Sequence, residues 1–208
     1  MPFLLFAGSL LLFAAVMGLM LLALRWDAQS KLKAWEQLSL RTGLTLDRGG
    51  WWAAQANLSG RYRSYPLVLK TYTVGTSSRS RTIYTLVAVG VQNKEGSAFR
   101  LSPAGVLSRL GEALGMQDVK IGDEAFDRRF AITSRPPEFV MALLGDDMLR
   151  HSLMDRVKRN AVIGLEGNRL TYTCMGVEKD VDYLEFLFNL LCDIADRIDG
   201  SAEEEEEF

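Results

Sequence analysis

Three kinds of side chain in this 208-residue chain could carry chemistry: a carboxylate cluster, a single histidine and two cysteines. The carboxylates Asp123, Glu124 and Asp127 lie together in the stretch VKIGDEAFDRRF, Val119–Phe130. Hard divalent cations take such oxygens, but a calcium loop of the EF-hand type needs about twelve residues with oxygens at fixed positions and a closing Glu. That pattern is missing here. Arg128 and Arg129 stand directly beside the acids, so ion pairing within the segment is the expectation. His151 has Asp146, Asp147 and Asp155 as neighbours. A His–Asp pair can act as a general base, yet no nucleophile motif such as GxSxG is present for it to serve. A lone histidine also cannot build a histidine-based metal cluster. Asp123, Asp127 and His151 therefore form the candidate surface site, and no residue is assigned to catalysis, to a cofactor or to a metal.

Cys174 and Cys192 both sit among apolar neighbours, in TYTCMG and FNLLCDIA. Without CxxC or Cys/His spacing they make no zinc site. They read as buried free thiols, with a disulfide between them as the alternative. Neither GxGxxG nor GxxxxGKS/T occurs, so no phosphate-cradling loop is expected.

Whatever these residues do is positioned by an N-terminal apolar run. Pro2–Leu24 carries no charge, and its length as a helix, roughly 34 Å at about 1.5 Å per residue, is enough to cross a hydrocarbon core of ~30 Å. A cleaved signal peptide would begin with Lys or Arg, have a shorter core and end at a small-residue cleavage site. None of these is present. The reading is a single-pass anchor in the cell membrane, residues 1–25, followed by a juxtamembrane helix over 26–43. Arg25, Lys31 and Lys33 beyond the run outweigh Asp27 and Glu36, which places the soluble domain in the cytoplasm. Arg25, Trp26, Lys31 and Lys33 are the candidate contacts to the lipid interface. Within the run, Ala14 and Gly18 form a small-xxx-small pair able to seat a second helix, and so a homo-oligomer; a helix facing only lipid is the simpler alternative.

Charge is divided along the chain. Residues 1–100 hold 12 Lys/Arg and 4 Asp/Glu, and residues 101–208 hold 12 and 22, within a formal net charge of −2. A basic membrane-proximal half suits anionic headgroups, each cation near the surface gaining on the order of 1 kcal/mol. The alternative is that the halves neutralise each other within one fold. Arg61, Arg63, Lys70, Arg79 and Arg81 concentrate positive charge between residues 61 and 81. No RNP-like, helix-turn-helix or zinc-finger pattern accompanies them, so nucleic acid is not expected as a partner.

The remaining elements read as α+β: an antiparallel sheet with helices over one face, in one domain spanning 44–199. Leu32, Trp35, Leu38 and Leu40 predict a helix ending at Gly43. Strands are predicted at Leu44–Arg48, Ala56–Arg63, Leu67–Val74 and Arg81–Val91, the last three as a meander, with Trp51 and Trp52 in the core of the sheet or, as the alternative, at the lipid interface. Ser102 as N-cap and Pro103 at the first position predict a helix through Leu114. Phe130–Ser134 is a strand, Glu138–Leu144 and Asp146–Lys158 are short helices, and Asn160–Glu166 with Arg169–Cys174 make a hairpin across Gly167-Asn168. The helix Asp180–Asp199 carries the clearest apolar stripe. Gly200 should close it, leaving residues 200–208 as a disordered acidic tail.

The spacing Gly122-Asp123-x-x-Phe126-Asp127-x-x-Phe130, followed by a strand and Leu-rich helical turns, resembles a segment of uncharacterised bacterial single-pass membrane-anchored domains. The likeness runs from Gly122 to about Asp196. It implies an anchored domain and brings no activity with it. Two functions follow as expectations: a non-enzymatic, membrane-tethered interaction or scaffold domain with an unidentified protein partner, or a membrane-bound hydrolase or transferase with an unfamiliar site. An accessory subunit of a membrane complex is a third. No cofactor is expected. The topology has a direct check. A reporter fused at Phe208 should be active in the cytoplasm of intact cells; activity on the outer side would reverse the orientation and make Cys174 and Cys192 disulfide candidates.

Overall fold

The computed structural model describes residues 13, 16–19, 26, 29–49, 56–75, 81–104 and 116–204. Within them lie nine strands: β1 Thr45–Asp47, β2 Asn57–Tyr62, β3 Tyr65–Val74, β4 Thr82–Gly90, β5 Ala98–Pro103, β6 Gln117–Val119, β7 Phe130–Arg135, β8 Val162–Glu166 and β9 Arg169–Met175. They form one antiparallel sheet in the order β1-β2-β3-β4-β9-β8-β5-β7-β6. The helices are α1 (29–42), α2 Glu124–Arg129, α3 Pro137–Leu143, α4 Asp147–Arg156 and α5 Val181–Glu204.

Strand side chains alternate between faces, so one paired position per strand defines a row across the sheet. One such row runs Leu46–Leu58–Leu69–Val87–Tyr172–Ile163–Leu101–Ile132–Val119, one residue from each of the nine strands. Every member is apolar or aromatic, and all but Leu46 are buried. The neighbouring row, Thr45–Ser59–Val68–Ala88–Thr171–Gly164–Arg100–Thr133–Asp118, is mostly small or polar and belongs to the opposite face.

The described helices cover the first face. Leu184, Leu187, Phe188 and Leu191 of α5 are fully buried, and Phe188 meets Tyr62 of β2 edge-on at 5.6 Å. Trp35 and Leu38 of α1 are fully buried as well, so the helix read as juxtamembrane is built into the core. Phe126 of α2 packs on Phe130 of β7 at 4.8 Å, and Phe139 of α3 lies 6.2 Å from Phe99 of β5.

Most elements lie where the pattern puts them, with several departures. Ser102 and Pro103 end a strand; they do not open a helix, and the rest of that predicted helix, 105–114, lies outside the described residues. Pro103 has no N–H to donate, and β8 pairs with β5 only over Phe99–Leu101, so no ladder bond is lost there. β5 itself, a strand between β7 and β8, has no counterpart among the predicted elements, and neither do β6 or α2. Finally, α5 does not stop at Gly200 but continues to Glu204, a glycine inside a helix costing about 1 kcal/mol relative to alanine. Trp51, Trp52 and residues 205–208 lie outside the described residues, as does most of Pro2–Leu24. Among the described residues no helix is long and apolar enough to cross a membrane.

The sidedness of the sheet is testable by truncation. Ile163→Ala in the buried row should cost about 2–5 kcal/mol of unfolding free energy, whereas Val68→Ala on the other face should stay within about 0.5 kcal/mol. Equal losses in denaturant titrations would mean that both faces are packed.

Candidate interaction surface

The acidic segment is a helix start. Asp123 is the N-cap of α2, and its carboxylate accepts from the N–H groups of Ala125 at 3.0 Å and Phe126 at 3.1 Å. Asp127 reaches back and accepts from the N–H groups of Ile121 and Gly122, both at 3.2 Å. Gly122 takes φ +83°, a left-handed backbone that suits glycine. The two phenylalanines of the motif are buried. The spacing GDxxFDxxF thus encodes a capped turn with two core anchors. Of the arginines expected to pair with these acids, Arg128 meets Glu124 at 3.5 Å on the surface. Arg129 turns away and donates to the carbonyls of Met154 and Val157, closing the end of α4. Burial holds its pKa below the ordinary arginine value.

His151 is exposed on α4, with Nδ1 2.8 Å from the carbonyl of Asp147 in its own helix. Asp146 caps α4 and pairs with Arg197 of α5, whose guanidinium holds the carboxyl below the usual carboxylate range. Asp123 lies 3.8 Å from Arg150. Asp123, Asp127 and His151 therefore bond to separate backbone groups, and no cluster of three metal-ligating side chains occurs among the described residues. Cys174 and Cys192 are free and buried, and burial raises both thiols, Cys192 to about 11. Such thiols stay protonated near neutrality and are weak nucleophiles.

The residues assigned to the lipid interface divide. Arg25 lies outside the described residues. Trp26 is 81% exposed and Lys33 is exposed. Lys31 faces inward at 4% exposure, donating to Thr71 Oγ1 at 2.9 Å, with its ammonium 4.2 Å from the Trp35 ring centroid. Its charge is thus withdrawn from any headgroup. Trp35 Nε1 in turn donates to the carbonyl of Glu178 at 3.0 Å.

Around Glu178 the fold holds a polar knot that periodicity does not reveal. Its carboxylate pairs with Lys158 and accepts from the N–H of Lys179 and of Asp180. Thr85 is also fully buried; it accepts from the Glu178 N–H at 2.9 Å and donates to the Gly176 carbonyl at 2.7 Å. The hydroxyls of Tyr172 and Tyr183 lie 3.0 Å apart, and Tyr183 accepts from the Lys158 N–H. These bonds tie the end of β9 to the start of α5, where Asp180 caps by accepting from the Tyr183 N–H at 3.0 Å. A lone buried Glu after a strand is the signal that could have flagged the knot.

On the face without described helices, Val68, Tyr72, Val74 and Met175 are exposed, and Tyr72 stacks on Tyr84 at 5.4 Å. Further along, a depression of about 580 Å³ is lined by Arg100, Met116, Val162, Glu166, Arg169 and Thr171. Gly164 opposes Arg100 there. The Nε of Arg100 is buried without a hydrogen-bond partner among the described residues.

Burial makes Lys31 a pH-dependent element, holding its pKa at about 8. Between pH ~8 and the unfolded value near 10.4, the unfolded chain binds more protons than the folded one, so stability rises with pH. Below that window the penalty is constant. The unfolding free energy of the native chain should therefore rise from about pH 8 to pH 10 relative to Lys31→Met. Parallel slopes for the two proteins in detergent would mean that the ammonium is solvated.

The fold is similar to that in the crystal structure of the mycobacterial trehalose monomycolate transport factor A, TtfA. The TM-score is 0.53 at 10% sequence identity, over 81% of this chain and 95% of that one. No protein-family model and no curated protein sequence matches. At that identity the likeness is one of fold.

Proposed function

We propose that this chain is a single-pass membrane protein, anchored by Pro2–Leu24, whose domain is a non-enzymatic binding module on the cytoplasmic side. The observation that carries the binding role is the sidedness of the sheet. One face is closed by α1 to α5, while the other presents exposed Val68, Tyr72, Val74 and Met175 beside a depression bearing Arg100 and Arg169. Apolar side chains flanked by arginines are the composition of a protein-binding patch. The anchor rests on the uncharged length of the N-terminal run. Support for a membrane-associated or transport-related role comes from the likeness in fold to a protein described as a transport factor. The hydrolase or transferase reading has less behind it, because the carboxylates of Asp123 and Asp127 accept from backbone N–H groups.

The module makes a positional prediction. A photo-crosslinking residue in place of Val68 or Arg169, in the full chain in native membranes, should give discrete protein adducts. The same probe at Met148, 80% exposed on the helical side, should give none. Adducts only at Met148, or none at the sheet positions, would defeat the proposal.

A further inference from the structure

We infer that the β3–β4 end of the sheet rests on the anionic surface of the bilayer, an inference that builds on the anchor proposed above. The first argument is the tether. Lys31, in the first turn of α1, donates to Thr71 of β3, which pairs with Thr85 three positions from the last pair, Val74 and Thr82. The chain therefore enters the domain at the hairpin end of these strands. The apolar run ends at Leu24 and α1 is under way by residue 29. Five peptide steps reach at most about 18 Å even when fully extended. That end of the sheet cannot be far from the headgroups.

The second argument is what this end exposes. Val74, Ile83 and Met175 are 51%, 45% and 55% exposed. Tyr72 and Tyr84 form a stacked pair next to Met175 across the sheet. Tyrosines beside aliphatic side chains are the composition favoured at a membrane–water boundary, where the ring is buried and the hydroxyl stays wet. Lys33, Lys70 and Arg81 are exposed around them and make no ion pair among the described residues. The acids at the same end are engaged: Asp180 caps α5, and Asp182 pairs with Arg41 at 2.6 Å.

The opposite end has the reverse character. Arg63, at the β2–β3 turn, is held by Asp193 and Asp196, and Asp199 accepts from the Gln92 N–H. Arg61 donates to the Ser64 carbonyl at that same turn. The charge division along the sequence therefore becomes a polarity in space, with apolar side chains and with Lys33, Lys70 and Arg81, which make no ion pair among the described residues, toward the bilayer. Held this way, the domain would stand upright with Tyr72, Val74 and Met175 toward the headgroups, and the part of the protein-binding face that stays accessible from the side is Val68 with the depression beside Arg169.

The test uses the full chain in phosphatidylcholine vesicles, with or without about a third phosphatidylglycerol. Val74→Cys, Ile83→Cys and, as control, Met148→Cys each carry an environment-sensitive fluorophore; the native thiols are buried. Flotation with the vesicles reports the anchor. Depth quenching by lipids spin-labelled in the headgroup reports the apposition. The inference expects blue-shifted emission and quenching at positions 74 and 83 but not at 148. Quenching should be about twofold stronger with phosphatidylglycerol and fall in high salt or in Lys70→Glu/Arg81→Glu. Flotation without quenching at 74 and 83 overturns the apposition and leaves the anchor standing. Failure to float overturns the anchor and the inference with it. Equal quenching on both vesicle types overturns the anionic surface as the occupant.

Discussion

A single row of nine paired residues, from Leu46 to Val119, holds the sheet in register, and the rest of the structure depends on it. Because strand side chains alternate, a slip of one residue in any pairing would bring Thr171, Arg100 or Asp118 beneath the helices. The cost of burying such groups without partners, about 1–3 kcal/mol each and more for charges, makes the observed register the stable one. The same alternation leaves the second face with small and polar residues, plus the few exposed apolar side chains that give it a binding character.

The helical layer is stitched down by a small number of side chain to backbone bonds. Asp123, Asp146 and Asp180 each cap a helix start, a contribution of about 1 kcal/mol apiece. Arg129 and Arg150 satisfy carbonyls left open at helix ends. Glu178 and Lys158 anchor the turn from β9 into α5. Side chains that read as a candidate reaction site are in this way consumed by architecture. What stays free for a partner, on the face without described helices, is the region around Val68 and the depression beside Arg169.

Lys31 shows how tertiary placement reassigns a charge. Beside an apolar run, a lysine reads as a headgroup contact; here the turn of α1 directs it between Thr71 and the Trp35 ring. Lys33, two residues on and on another side of the helix, keeps its solvent exposure. Helical geometry separates the two roles by the rotation of about 200° that two residues bring.

By itself the sequence determined the α+β class, the β2–β4 meander, the β8–β9 hairpin across Gly167-Asn168, and α5 with its apolar stripe. These rest on local signals: periods of two and 3.6, caps and turn residues. It also displayed the uncharged run Pro2–Leu24 and the split of charge between halves. Tertiary structure alone decided the order in which β5 to β9 pair, because long-range strand pairing depends on complementary faces far apart in the chain. It made Ser102-Pro103 a strand end where local chemistry favoured a helix start, since β7 offers a partner to β5 there and β8 has already let go. It likewise decided that Asp127 accepts from Ile121 and Gly122, and that Arg129 serves α4, since both depend on where a neighbouring element comes to rest. Residue type supplied the charges and the periods; packing chose which charges face water.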